Sequence, residues 1–169
     1  MEPKSDLTER LERITLLLMD CDGVLTDGRL YFSASGEELK VFDVKDGQGL
    51  VMWHQAGFRS GIISGRNSSI VDVRARQLGI EFVHQGSSEK LAAFEKIIAE
   101  AGVSPDEVAF IGDDLPDAHL MPRVGLAVAV ADAHPSARSA AHLVTANSGG
   151  RGAVRELIDL ILKAKKSNN

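Results

Sequence analysis

Short apolar runs that break off abruptly at polar residues alternate along this chain with longer stretches in which apolar positions recur every three or four residues. The run at 14–19 stops dead at Asp20, the pattern of a strand buried on both faces. Segments 59–65, 80–86, 107–114, 125–130 and 142–145 read as further strands. Between them, 49–57, 67–79, 87–102, 116–121 and 134–141 read as helices or helical turns, several stopped by glycine. A first helix over 5–13 has Ser5 or Asp6 as its cap. The last, over 152–166, is amphipathic, with apolar residues at 154, 157, 158, 161 and 162. Two strand-like runs, 29–33 and 39–42, flank Ser35-Gly36 and read as a β-hairpin. Asp46-Gly47 reads as the break before the next helix.

Alternating strand and helix is the layout of an α/β fold, a doubly wound, Rossmann-like parallel sheet covered on both faces. The hairpin, a flap at about 29–42, is the one insertion, directly after the first strand. At 169 residues the chain is expected to form a single domain, 1–169.

Charge and composition narrow the function. A net charge of -5 with no basic stripe argues against a nucleic-acid partner. No apolar run reaches membrane-spanning length, and the N-terminus is polar, unlike a signal peptide, so a cytoplasmic location is expected. The single cysteine, Cys21, excludes an intramolecular disulfide and reads as a small buried hydrophobe.

In doubly wound sheets, ligands bind beyond the carboxyl ends of the strands. Here those ends carry Asp20 and Asp22, then Ser64, Gly65 and Arg66, then Asp113 and Asp114 with Asp117 close behind. Lys90 opens a helix at the same edge. Asp20 and Asp22, two residues apart, point to one face of their strand, and Asp113 adds a third carboxylate. Such crowding forces protonation unless a cation intervenes, and an all-oxygen set suits Mg²⁺. A lysine, a serine hydroxyl and the N–H groups of a glycine turn suit a tetrahedral anion. Together these point to phosphoryl transfer. Asp20 can attack phosphorus to form an aspartyl-phosphate, and Asp22 can protonate the leaving alkoxide and then deprotonate the hydrolytic water.

The motifs "DCDGVLTDG", "IISGR", "SSEK" and "IGDDLPD", in that order, resemble the haloacid dehalogenase superfamily. Together with "GEELKVFDVKDGQGL", "VGLAVAVADAHP" and "GGRGAVREL", they resemble its capless phosphatases of sugar-acid phosphates, over nearly all of 16–162. The resemblance implies hydrolysis of 3-deoxy-D-manno-octulosonate 8-phosphate in lipopolysaccharide precursor synthesis. It further implies Mg²⁺ held by Asp20, Asp113 and the backbone carbonyl of Asp22, with Ser64, Gly65 and Lys90 on the phosphoryl group. It also implies a homotetramer built by the hairpins, in which neighbouring subunits complete each active site. Asp117 is expected behind the site, on Lys90 or a metal water. Arg66 and Arg151 are candidates for substrate contact, Arg151 for a carboxylate in a neighbouring subunit's site. Asp114 has two readings, a site acid or a helix cap. His54, His84, His119, His134 and His142 are expected to be structural or solvent-facing.

Three rivals share parts of this pattern. A phosphoacceptor signalling domain would leave Asp22 without a role. A non-catalytic tetramerisation domain would not need the intact acids. A phosphatase for a nine-carbon sialic-acid-type 9-phosphate would keep every catalytic residue and change only the sugar pocket.

Overall fold

The computed structural model describes residues 4–166, and the side chains of all of these except Lys4, Ser5 and Glu38. Six parallel strands form one sheet: β1 (Leu16–Met19), β4 (Arg59–Ile63), β5 (Phe82–His84), β6 (Val108–Gly112), β7 (Leu126–Ala129) and β8 (Leu143–Val144). Their spatial order is β5-β4-β1-β6-β7-β8. β2 (Tyr31–Ser33) and β3 (Gly36–Leu39) form the separate antiparallel hairpin. Helices α1 (Lys4–Arg13), α2 (Val44–Gln55), α3 (Ser69–Leu78) and α7 (Ala153–Lys166) pack together on one side. Helices α4 (Lys90–Ala101), α5 (Leu115–Leu120) and α6 (Pro135–Ala140) pack in a row on the other. Among the described residues nothing beyond the hairpin forms a cap domain.

β1 is buried along its whole length, as a central strand covered on both faces must be. Its pairings Met19↔Ile62 and Met19↔Ile111 bring the ends of β4, β1 and β6 level. The chain leaves β1 toward β4 and later returns to β6 on the opposite side, so the strand order reverses between β1 and β6. That reversal opens a crevice at their carboxyl ends.

Three expectations about elements are corrected. The hairpin turn is Ala34-Ser35, since Ser33 pairs with Gly36, and the second strand is 36–39 instead of 39–42. α2 begins at Val44, capped by Asp43, whose side chain accepts from the Lys45 N–H. Asp46 and Gly47 are therefore helical. The turn chemistry of Asp-Gly is overridden because a side chain at Gly47 would press on Arg74 and Leu78 of α3, while the Asp46 carboxylate accepts from the N–H groups of Gly152 and Arg155 at the start of α7. In α1, Asp6 lies in the first turn and bonds Arg10, so it is not the cap; the reading of Ser5 as cap falls outside the described side chains.

Candidate active site

The end of β1 turns sharply into the site. The Cys21 carbonyl accepts from the N–H groups of Val24, Leu25 and Thr26, and the Thr26 hydroxyl accepts from Gly23 and Gly28. Gly23 sits at φ +90°, and any side chain there would run into the Asp113 carboxylate. The glycine of the first motif is thus what lets the β1 loop close against the β6 loop.

Asp20, Asp22, Ser64, Gly65, Arg66, Lys90, Asp113, Asp114 and Asp117 all line one cleft of about 250 Å³, with Ser87, Ser88 and Pro116. Asp20 is buried; its Oδ1 accepts from the Cys21 N–H at 2.7 Å and pairs with Lys90 Nζ at 3.1 Å. Lys90 donates to Asp117 Oδ1 at 2.6 Å, and Asp117 Oδ2 accepts from the Asp113 and Asp114 N–H groups at 2.8 and 3.1 Å. Ser64 directly follows β4, its N–H bonded to the His84 carbonyl, while the Ser87 N–H donates to the Ser64 carbonyl. Those two bonds clamp the β4 and β5 loops together around Gly65, whose open surroundings leave room for an anion.

Carboxylate oxygens of Asp20, Asp113 and Asp117 lie within 4.8 Å of one another. Burial pushes Asp20 up to about 7, with the Asp117 charge adding to it and Lys90 opposing. Asp113 is pushed up to about 9 by burial and then by the charges of Asp20 and Asp117. Burial alone would draw the Lys90 ammonium down, but Asp20 and Asp117 hold it above its ordinary range. Asp113 Oδ1 is buried with no hydrogen-bond partner. Acids that can ionise only against one another, plus an orphaned carboxylate oxygen, fit a hard divalent cation. Asp117 has both oxygens engaged by Lys90 and two N–H groups, which makes Asp20 and Asp113 the better ligands.

The reading of Asp114 resolves to the cap of α5, since its side chain accepts from the Leu115 N–H and it forms a capping box with Asp117. Cys21 is buried, and burial drives its thiol far above the usual range. His54 bonds the Ser60 hydroxyl, His134 caps α6, the His142 Nδ1 accepts from the Ala127 N–H, and His119 is exposed in an adjoining groove. Arg151 is not in the cleft with the others. It lines a second cleft of about 380 Å³ with Lys45, Arg155, Glu156 and Lys163. Its loop still abuts the turn that follows β1, because the Gly150 N–H bonds the Val24 carbonyl at 2.8 Å.

Two residues that reach the cleft acids from outside the cleft escaped the sequence. Lys40, from the segment after β3, donates to Asp22 Oδ1 at 2.6 Å and pairs with Glu37 Oε1 at 2.7 Å. Their place depends on the hairpin's register and fold-back, which no local pattern encodes.

A doubly wound sheet with a DxD acid pair, a buried lysine and a cation-hungry acid cluster at its switch point defines a phosphoryl-transfer hydrolase. The chain belongs to the haloacid dehalogenase-like hydrolase family, whose model matches residues 59–158, more than half of its length. Among its relatives, the 3-deoxy-D-manno-octulosonate 8-phosphate phosphatase KdsC of Yersinia pestis is 48% identical over 160 residues, covering 95% of this chain and 86% of that one. The KdsC enzyme of Escherichia coli strain K12 is 46% identical over 161 residues, again 95% and 86% of the two chains. A crystal structure of the Moraxella catarrhalis phosphatase, in complex with magnesium, phosphate and a KDO molecule, superposes with a TM-score of 0.93. It is 38% identical and covers 98% of this chain and 95% of that one.

Proposed function

We propose that this chain is a Mg²⁺-dependent phosphatase that converts 3-deoxy-D-manno-octulosonate 8-phosphate to the free sugar acid and phosphate, in lipopolysaccharide precursor synthesis. The observation that carries the reading is the likeness, over 98% of the chain, to an enzyme solved with magnesium, phosphate and that sugar acid. The acids of the cleft give the chemistry.

When bound, Mg²⁺ neutralises the crowded carboxylates and screens the phosphate dianion from its attacker. Asp20 and Asp113 would hold it, with the backbone carbonyl of Asp22. Asp20 attacks phosphorus and becomes the aspartyl-phosphate, while Asp22 gives its proton to the departing sugar oxygen. Asp22 then takes a proton from water, which cleaves the intermediate. Ser64, the Gly65 N–H and Lys90 bind the phosphoryl oxygens, and Arg66 faces the sugar. Asp117 keeps Lys90 charged and aimed.

The active protein is a homotetramer in this reading, with each cleft completed by a neighbour. Exposed apolar side chains on and beside the hairpin support this: Leu30, Tyr31, Phe32, Leu39, Val41 and Val44. Arg151, outside its own cleft, then serves a neighbour's substrate carboxylate. Its removal is expected to raise KM for the sugar-acid phosphate several-fold and leave KM for a small phosphate ester unchanged; equal effects would remove it from carboxylate recognition. A cytoplasmic location belongs to the same reading, because a phosphorylated sugar acid does not cross membranes unaided.

The test is phosphate release from 3-deoxy-D-manno-octulosonate 8-phosphate, with and without Mg²⁺, beside other sugar phosphates. Strong Mg²⁺-dependent preference for it supports the proposal. Preference for a nine-carbon acid phosphate would keep the chemistry and change the substrate, and no release from any ester would end it.

A further inference from the structure

The carboxylate of Asp22 is held from the hairpin side. Lys40 Nζ, on a side chain only 1% exposed, sits between Asp22 Oδ1 at 2.6 Å and Glu37 Oε1 at 2.7 Å. The other Glu37 oxygen accepts from the Ser68 hydroxyl at 2.6 Å. Ser68 occupies the N-cap of α3, where a serine normally turns its hydroxyl onto its own helix. Here it makes no such bond and reaches for Glu37 instead. Arg66 completes the seat, lying 3.9 Å from Asp22 Oδ2 with its guanidinium 5.8 Å from the Phe32 ring of β2.

A buried lysine with two carboxylate partners loses much rotamer freedom, so it fixes both partners in place. Glu37 fixes the lysine, and Ser68 fixes Glu37 to the body of the domain. Ser68 is in turn anchored, its N–H bonded to the Gln85 side chain at 2.9 Å. The chain of contacts therefore runs from α3, through the hairpin, to one oxygen of Asp22. That leaves Oδ2, 3.9 Å from Arg66, as the oxygen Lys40 does not hold.

We propose that Lys40 is a positioning residue for proton transfer: clamped by Glu37 and Ser68, it holds the Asp22 carboxylate in the orientation that delivers a proton to the leaving oxygen. The inference rests on the phosphatase reading and on Asp22 as its acid. Loss of the clamp leaves the attack by Asp20 intact but lets the acid wander, so its cost depends on the leaving group. A sugar alkoxide cannot depart without a proton, whereas p-nitrophenolate can.

The experiment compares kcat/KM for the sugar-acid phosphate and for p-nitrophenyl phosphate, since this parameter reports only the steps up to phosphoryl transfer to Asp20. In Lys40→Met it is expected to fall on the order of 10- to 100-fold for the sugar ester and less than about 3-fold for the aryl ester, a part of what general acid catalysis supplies. Lys40→Arg should recover part of the loss. Ser68→Ala, which removes only the far end of the clamp, should give the same selective pattern in weaker form. Equal losses on both esters, or no loss on the sugar ester, in Lys40→Met and Ser68→Ala would overturn the proposal. Asp22→Asn separates the two levels: if it too fails to discriminate between the esters, the acid role of Asp22 is wrong, and if it alone discriminates, only the Lys40 inference falls.

Discussion

Asp117 shows how much of this site is one hydrogen-bonded piece. It has no exposed surface and accepts from Lys90 and from two successive N–H groups of the β6 loop. Asp117→Ala would leave those N–H groups without an acceptor and the buried ammonium with only Asp20. A stability loss of about 3–5 kcal/mol is expected from breaking such a pair, read by urea unfolding. Unchanged stability would mean that Lys90 finds another partner. Asp20→Asn is the opposite kind of change, one atom without loss of volume. It should keep the fold by circular dichroism and lower kcat by roughly 10⁴-fold or more, as loss of a nucleophile does. Residual turnover near the wild-type rate would remove Asp20 from the nucleophile's place. These residues were legible because strand ends are legible: an acid, a glycine or a serine that terminates an apolar run stands at the sheet edge whatever the details of packing. Lys40 and Glu37 were not, because a lysine between Leu39 and Val41, three residues after a glutamate, looks like any solvated residue at a hairpin's end until the fold-back brings Asp22 beside it.

At the level of elements, the alternation of periods carried the sheet and its helices, while turn chemistry misplaced the two boundaries nearest the site. Ser35-Gly36 and Asp46-Gly47 both carry strong turn signals. Gly36 instead opens β3, and Gly47 lies inside α2 because that helix packs against α3 with no room for a side chain. Long-range contact decided the Gly47 boundary, which the sequence window around it could not contain, while the Gly36 boundary follows from the pairing of Ser33 with Gly36 across a two-residue turn. The hairpin that results is short, twisted and apolar on its outside, with Phe32 59% exposed. A two-stranded ribbon is marginal by itself in water, so its apolar face calls for cover. If the hairpins build the assembly, Phe32→Glu places a charge in the middle of each contact. Dissociation to smaller species is expected in light scattering coupled to size exclusion, with far-UV circular dichroism unchanged. A tetramer that survives the substitution would move the interface elsewhere on the molecule.

For the whole molecule, the crevice between β1 and β6 costs stability when it holds no cation and the pH is above the ordinary carboxylate range. Asp20 and Asp113 are held at about 7 and about 9, against an ordinary value of 3.8. Between those values the folded protein without metal binds protons that the unfolded chain has released. Stability then falls as pH rises, because the unfolded state is the one with fewer bound protons. Below about pH 4 both states are protonated and the penalty is absent; above about pH 9 it is fully present. Mg²⁺ binds the ionised acids and relieves the same crowding, so its stabilisation must grow over the window in which the metal-free protein weakens. At a concentration about 100 times its Kd, a ligand specific to the folded state contributes about 2.7 kcal/mol. In a domain of this size that amounts to a rise in Tm of about 5–10 °C. The difference in Tm with and without Mg²⁺ should therefore be small near pH 5.5 and approach that range near pH 8.5. Taking the difference cancels the other titrations of the chain, which occur with and without metal alike. In Asp113→Asn the ligand proposed for Mg²⁺ and the more strongly shifted acid are both gone. That variant should lose most of the Mg²⁺ effect and show a flatter decline in metal-free stability with pH. A Mg²⁺-induced shift of the same size at both pH values in the native protein would mean that the cation binds away from these acids.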